Sequence, residues 1–177
     1  MIEISYNINK YRNQLFKSIE PGDVVIELGC HVGVTSKKIL DNFEDVFLIA
    51  IDNSPEAISK MEKLESAYYN LLFIHGDVRL HDVLALVFNE IQRCDVLSID
   101  LGGGYHPDTV FKVFYIWAST FKPKSTIIRN RGLLEFLNSA NKSDEDFKSE
   151  MGFLESYKNE GIPPQIKEFS LWTNSLK

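Results

Sequence analysis

The sequence predicts an α/β protein with a doubly wound, mostly parallel sheet that carries helices on both faces. Apolar runs rich in β-branched residues alternate five times with segments whose apolar residues recur at helical spacing, which is typical of right-handed βαβ units. Helix start signals fall between these runs: Pro55 follows Ser54, and Asp108 follows Pro107. With 177 residues, 44% of them hydrophobic, the chain is long enough for one domain with a sizeable core.

The elements follow one another in a regular order. An amphipathic helix over about Ile8 to Ile19 precedes the first apolar run. Five strand and helix pairs then follow: "DVVIEL" with "GVTSKKILDNF", "VFLIAID" with "SPEAISKMEKLESAY", "LLFIHGD" with "LHDVLALVFNEIQ", "CDVLSID" with "PDTVFKVFYIWASTF", and "KSTIIRN" with "GLLEFLNSAN".

The C-terminal part has a different composition. From Ser143, a plausible N-cap, an acidic segment with helical spacing runs to Gly161, and "IKEFSLWT" then alternates apolar and polar residues. This pattern predicts a helix and an antiparallel strand at the sheet edge. The single domain, 1–177, thus divides into an N-terminal helix (1–20), a core (21–142) and a C-terminal helix and edge strand (143–177).

Composition excludes several classes of protein. No apolar run is long enough to span a membrane, and the N-terminus lacks a secretory signal pattern, so we expect a cytoplasmic protein without membrane contact. Cys30 and Cys94 have no zinc-site or disulfide spacing. The net charge of −6 disfavours nucleic acid as a partner without excluding it; residues 101–142 nevertheless carry a positive local balance. A homodimer stays open.

Acidic residues mark the ends of the first four predicted strands: Glu27, Asp52, Asp77 and Asp100. Ligands of open α/β sheets bind beyond these strand ends. A carboxylate there would repel the phosphates of a nucleotide, and the glycines after the first strand match neither G-x-G-x-x-G nor a P-loop. S-adenosylmethionine fits better because its ammonium, sulfonium, ribose hydroxyls and adenine amine suit carboxylate partners.

These motifs resemble those of the class I, Rossmann-like S-adenosylmethionine-dependent methyltransferases over about Asp23 to Arg131. The resemblance implies cofactor contacts from four segments. They are Glu27, Gly29, Cys30, His31 and Gly33 in "VIELGCHVG"; Asp52 and Asn53 in "IAIDNS"; Asp77 and Val78 in "HGDV"; and Asp100 and Leu101 in "VLSIDLGGG". His31 departs from the pattern, since the family usually has a third glycine there.

The resemblance also implies a reaction, namely methyl transfer to an unidentified acceptor. Asp100 is the predicted acceptor-side catalytic residue, His106 a candidate general base, and Arg129 and Arg131 candidate substrate contacts. We expect no metal, because Arg129 stands where a metal-dependent relative would have an acidic ligand before Asn130.

Several alternatives stay open at this point. Asp52 could serve only as a helix cap, the triple glycine 102–104 only as a flexible turn, and His106 only as a capping or surface residue. A small-molecule or protein acceptor is favoured. An RNA 2′-O-methyltransferase and a non-catalytic S-adenosylmethionine-binding regulatory module are the alternatives, and the glycine spacing disfavours an NAD-type oxidoreductase.

Overall fold

The computed structural model describes residues 1–154, which form a six-stranded, all-parallel sheet with helices on both faces. The predicted α/β class is therefore confirmed. The sheet order is β1-β6-β5-β2-β3-β4. The strands are β1 (Ile2–Ser5), β2 (Val24–Leu28), β3 (Phe47–Asp52), β4 (Leu71–His75), β5 (Val96–Ile99) and β6 (Ser125–Arg129); the helices are α1 (Ile8–Ser18), α2 (Val34–Asn42), α3 (Pro55–Ala67), α4 (His81–Glu90), α5 (Pro107–Phe121) and α6 (Arg131–Ser139), with a 3₁₀ turn at Gly102–Gly104.

The sheet separates two apolar layers because successive side chains on a strand point to opposite faces. In β2, Ile26 packs toward Trp117 of α5, whereas its neighbour Val25 packs toward Tyr11 and Leu15 of α1. Tyr11, Leu15 and Trp117 lie on helices, and all five of these residues are fully buried. The double coverage explains why the central strands read as continuous apolar runs.

The N-terminal region holds one strand that the sequence analysis missed. The predicted helix over about Ile8 to Ile19 is confirmed as α1, with Asn7 as its N-cap. Residues 1–20 are not only a helix, however, because β1 pairs in parallel with β6 in the register Ile2↔Thr126. Four residues at a sheet edge, three of them only half-buried, give too short an alternation to stand out.

The C-terminal region corrects one prediction and leaves another untested. Residues 143–154 form no helix, so the helix predicted to begin at Ser143 is wrong over this range. Tertiary contacts fix the backbone instead: the Gly152 amide donates to the Pro123 carbonyl, the Thr126 hydroxyl donates to the Gly152 carbonyl, and Phe153 is buried. The predicted antiparallel strand in "IKEFSLWT" lies outside the described residues and stays a prediction.

Strand order places a cleft at the C-terminal ends of the strands. From β2 the chain proceeds to β3 and β4 on one side of β2, and then crosses to β5 on its other side. Ligands of open α/β sheets bind at such a reversal of strand order. Within residues 1–154, every helix is too short or too polar to cross a bilayer.

Candidate functional site

A cavity of about 280 Å³ opens at the C-terminal ends of β2, β3, β4 and β5. Its walls combine carboxylates, a guanidinium, an imidazole and apolar side chains, a mixture typical of small-molecule sites. Seven predicted site residues line it: Gly29, Asp52, Asn53, Asp77, Val78, Leu101 and His106. Five others also do, and the sequence analysis did not select them: Ile51, Gly76, Arg79, Gly102 and Thr109.

The turn after β2 requires its glycines for packing. Gly29 has φ +89°, and a Cβ there would lie 2.3 Å from the backbone carbonyl oxygen of Asp100. Gly33 has φ +78°, and a Cβ there would lie 2.5 Å from Sδ of Met61 in α3. Both positions exclude a side chain. Gly29 borders the cavity, whereas Gly33 serves the contact between helices α2 and α3 and is not a lining residue.

His31 and Cys30 lie in the same turn but do not line the cavity. His31 has φ +48°, a left-handed conformation that favours glycine. Its backbone amide donates to Asp52 Oδ2 at 2.8 Å. Cys30 is buried, and burial raises the pKa of its thiol well above the usual value, so it is an unreactive thiol.

Asp52 ends β3, fixes the turn that leads into α3 and borders the cavity. Its Oδ1 accepts hydrogen bonds from the Ser54 amide at 2.8 Å and the Ser54 hydroxyl at 2.6 Å, and its Oδ2 accepts the His31 amide. The bonds to Oδ1 reach Ser54, the N-cap residue of α3, and not the amides inside the helix, so Asp52 is not the helix cap. An ionised carboxylate offers about four acceptor positions, so Oδ2 retains one for a ligand hydroxyl.

Asp77 lies across the cavity in an ion pair with Arg79. Nε and Nη2 of Arg79 approach the Asp77 oxygens at 2.5–3.0 Å, and the Arg79 amide donates to Oδ1 at 3.0 Å. Burial alone would raise the pKa of Asp77, but the hydrogen bonds from Arg79 outweigh it and hold the pKa below its usual value. Asp77 is therefore ionised, and Arg79 occupies both of its oxygens.

Glu27 lies beneath the turn and not at the cavity surface. It is 2% exposed and accepts a hydrogen bond from the Ser36 hydroxyl at 2.5 Å. Burial raises its pKa to about 7, and the nearby charge of Asp100 adds to the shift. The structure brings Glu27 close to the site residues without making it a lining residue.

Asp100 and Arg129 join the ends of β5 and β6. Nη1 of Arg129 donates to both oxygens of Asp100, at 2.9 and 3.2 Å, and the two side chains are only 17% and 19% exposed. Burial raises the pKa of Asp100, and the charge of Arg129 opposes this shift without cancelling it. Arg129 is thus a buried partner rather than part of an open basic rim, whereas Arg131 is exposed.

Asn130 and His106 are distinguished by their hydrogen bonds. Asn130 caps α6 by accepting the Leu133 amide at 2.8 Å and donates to the Tyr105 carbonyl at 2.8 Å. These two hydrogen bonds satisfy the buried amide of Asn130. The expectation of no metal stays a prediction. His106 precedes α5 in a left-handed conformation, and its side chain makes no cap hydrogen bond but lines the cavity.

Comparison with known proteins identifies the fold. No protein-family profile matches the chain. A proposed rRNA methylase from Clostridium thermocellum superposes with a TM-score of 0.55 at 14% identity, over 82% of this chain and 90% of that one. An rRNA methylase from Streptococcus thermophilus gives a TM-score of 0.53 at 13% identity, over 77% and 81%.

The chain has the fold of the class I S-adenosylmethionine-dependent methyltransferases. Against Aeropyrum pernix fibrillarin, solved with natively bound S-adenosyl-L-methionine, the TM-score is 0.47 at 17% identity over 59% of this chain. The match spans only 43% of that fibrillarin.

The structure distributes the predicted site residues unevenly. Seven of them line the cavity, as described above, and Asp100 and Arg129 form an ion pair. Arg131 is exposed at the start of α6, and four residues at the end of β2 and in the turn after it do not line the cavity: Glu27, Cys30, His31 and Gly33. The sequence analysis missed Arg79 and also Tyr6 and Tyr105. Arg79 could have been found from its spacing of two residues after Asp77, because such a side chain can fold back onto a carboxylate at a loop start. Tyr6 had no sequence signal, because only the unrecognised strand β1 brings it beside Tyr105 and Arg129.

Proposed function

We propose that this protein binds S-adenosylmethionine in the cavity and transfers its methyl group to an acceptor. One observation carries the proposal: Asp52, which ends β3, and Asp77, which follows the adjacent strand β4, line a single cavity together with Leu101, which follows β5. The fold that these residues stand on is shared with methyltransferases, and the lining residues supply the chemical support for the function.

The lining residues suit the donor's functional groups. The free acceptor position of Asp52 suits a ribose hydroxyl, and Asn53 beside it can add a second hydrogen bond. Val78 and Leu101 offer apolar surface to the adenine ring. Asp77 is the partner for the adenine amine once Arg79 releases one of its oxygens. S-adenosylmethionine supplies an activated methyl group, so the chain's main task is to align the acceptor with it.

Two side chains are proposed to act next to the acceptor. His106 has an imidazole that lines the cavity without a capping hydrogen bond, so it is available to hydrogen-bond a bound acceptor. Asp100 has both oxygens engaged by Arg129, and it orients the acceptor side of the site by fixing that guanidinium.

The acceptor is proposed to be a small molecule or a protein. An RNA acceptor is the second candidate, because the two structures with TM-scores of 0.55 and 0.53 are an rRNA methylase and a proposed one. The net charge of −6 and the engagement of Arg129 within the protein weigh against it, since RNA binding depends on several free cationic contacts to phosphates. A non-catalytic S-adenosylmethionine-binding module would bind the same ligand in the same cavity but would form no methylated product.

Calorimetric titration tests the proposal directly. S-adenosylmethionine and its demethylated product should bind, and NAD and ATP should bind at least about tenfold more weakly because their phosphates meet Asp52 and Asp77. NAD binding tighter than S-adenosylmethionine would contradict the proposed cofactor. Tight binding without methylated product in a fractionated extract would favour the regulatory module over the enzyme.

A further inference from the structure

The loop from Gly102 to His106 has one side toward the cavity and the other toward Tyr6. Gly102 and His106 line the cavity. A Cβ on Gly104 would lie 3.2 Å from the ring of Tyr6, and Tyr105 packs edge-on against the same ring at 6.0 Å between centroids. Because this loop is only five residues long, the surface carrying Tyr105 directly adjoins the proposed donor site.

Two phenols form a polar pair on that surface. The hydroxyl oxygens of Tyr6 and Tyr105 lie 3.0 Å apart, and Tyr105 is 49% exposed. The hydrogen bond between them raises the pKa of Tyr6 and lowers that of Tyr105, and a hydrogen bond from Arg131, with the charges of Arg131 and Arg129, lowers the pKa of Tyr105 further. Either hydroxyl can donate this hydrogen bond.

The charges beside the phenols favour an anion. Asp100, the carboxylate at the end of β5, is already paired with Arg129, whose guanidinium also lies over the Tyr6 ring at 5.5 Å and donates to the Tyr6 carbonyl. Arg131 adds an exposed cation at the start of α6. A cationic acceptor would therefore be repelled by the arginines and would have no unpaired carboxylate among these residues to bind. A carboxylate or phosphate group could form an ion pair with Arg131.

We infer that Tyr6, Tyr105 and Arg131 form the acceptor site, and that the acceptor is a small hydroxy acid. Its anionic group pairs with Arg131, and the hydroxyl that becomes methylated hydrogen-bonds to Tyr105, with Tyr6 as a positioning residue. This inference rests on the proposed methyl transfer, which leaves the acceptor class open. One exposed arginine at this point suits a single anionic group better than the many phosphates of RNA.

The step is a substitution at the methyl carbon. The acceptor oxygen forms a bond to that carbon while the carbon–sulfur bond of the donor breaks, and the bonding pair remains on sulfur as a neutral thioether. Tyr105 first loses its phenol proton to water, and the resulting phenolate Oη then takes the hydroxyl proton of the acceptor. The products are a methyl ether, the thioether and a proton, so charge and atoms balance.

Labelling of a cell extract from the native host tests the acceptor class. Wild-type protein and methyl-labelled S-adenosylmethionine should place label in an anionic small-molecule fraction, in a form stable to mild alkali, because ethers survive where methyl esters hydrolyse. Label in RNA, in protein, in cationic small molecules or in an alkali-labile form overturns the inference. So does the absence of labelled product from a protein that binds S-adenosylmethionine. Failure to bind that donor would instead overturn the proposed function.

Variants test the residues with the labelled fraction as substrate. Tyr105→Phe should lower kcat about 100-fold, the usual range for a lost proton acceptor, and Arg131→Gln should raise the acceptor KM at least about tenfold. Both should leave the dissociation constant of S-adenosylmethionine within about twofold. The matched control Tyr69→Phe, at a residue 91% exposed, should change neither parameter. A Tyr105→Phe enzyme that keeps kcat within about threefold overturns the assignment.

The pH profile separates a positioning role of Tyr6 from a structural one. The groups that face the Tyr105 hydroxyl are Tyr6, Arg129 and Arg131. Tyr6→Phe removes the hydrogen bond that lowers the pKa of Tyr105, so the alkaline rise in kcat should move to higher pH. An unmoved rise would overturn the role given to Tyr6.

Discussion

The Ser36 hydroxyl donates a 2.5 Å hydrogen bond to Glu27, a carboxyl group that is almost completely buried. Burial raises the pKa of Glu27 from 4.5 to about 7. In the unfolded chain the group loses its proton near pH 4.5, so between pH 4.5 and 7 the folded state binds more protons. Its contribution to stability is therefore complete below pH 4.5 and is lost as pH rises through 7, by about 3 kcal/mol in total.

Glu27→Gln should remove this part of the pH dependence, because the amide keeps the shape and the acceptor for Ser36 without a charge. Urea unfolding at pH 5 and pH 8 measures it: the loss of unfolding free energy between the two should be smaller in the variant. Asp100, whose pKa is also raised, contributes in the same direction in both proteins. Equal losses would contradict the burial of an ionisable Glu27.

Asp52→Ala should weaken S-adenosylmethionine binding by about 1.5–3 kcal/mol, the usual cost of removing a charged hydrogen-bond acceptor. It should also lower the unfolding free energy by about 1 kcal/mol, because Ser54 and His31 lose their acceptor. Calorimetry and urea unfolding measure the two effects separately. The control is Asp45→Ala, at an exposed carboxylate, which should change neither the dissociation constant nor the unfolding free energy. An unchanged dissociation constant in Asp52→Ala would mean that Asp52 has only a structural role.

Gly29→Ala should be more damaging than Gly103→Ala although both glycines have positive φ. At Gly29 the new methyl group would meet the Asp100 backbone at 2.3 Å, which cannot yield, whereas at Gly103 nothing lies within 4 Å. The second substitution should therefore cost only the left-handed strain of about 1–2 kcal/mol. Urea midpoints compare the two, and similar losses would contradict the contact between the turn after β2 and the end of β5.

Arg79→Ala should strengthen S-adenosylmethionine binding by up to about fivefold, because the half-exposed ion pair no longer competes for Asp77. Asp77→Ala should weaken it. Titration of both variants decides the role of Arg79, since weaker binding in Arg79→Ala would mean that the guanidinium itself contacts the ligand.

Arg129→Ala should lower the unfolding free energy by about 3 kcal/mol, because it leaves the buried Asp100 carboxylate without its partner. The control is Arg93→Ala, whose side chain is 68% exposed beside Asp95 and should cost no more than about 1 kcal/mol. Adding Asp100→Asn to Arg129→Ala should recover part of the loss. A small effect of Arg129→Ala would contradict the burial of this pair.

The sequence predicted the sheet and most of the cavity wall because both follow from local patterns. The five apolar runs became β2 to β6, and the carboxylates after β3 and β4 meet in one cavity because parallel strands end at one edge. Pairings of side chains distant in sequence could not be predicted this way. The ion pair between Asp100 and Arg129 depends on the pairing of β5 with β6. The helix predicted from Ser143 does not form because tertiary contacts of Gly152 and Phe153 fix the backbone in another conformation.

Strand β1 has a consequence for the order in which the protein folds. Its partner β6 follows most of the chain, and 123 residues separate Tyr6 from Arg129. Closing so long a loop costs more entropy than forming the neighbouring βαβ units, so β1 docks late. During synthesis β1 cannot pair until β6 has been made, whereas β2, β3 and β4 can already pair with one another. The part of the cavity at the ends of β2, β3 and β4 therefore forms before β1 docks and brings Tyr6 into place.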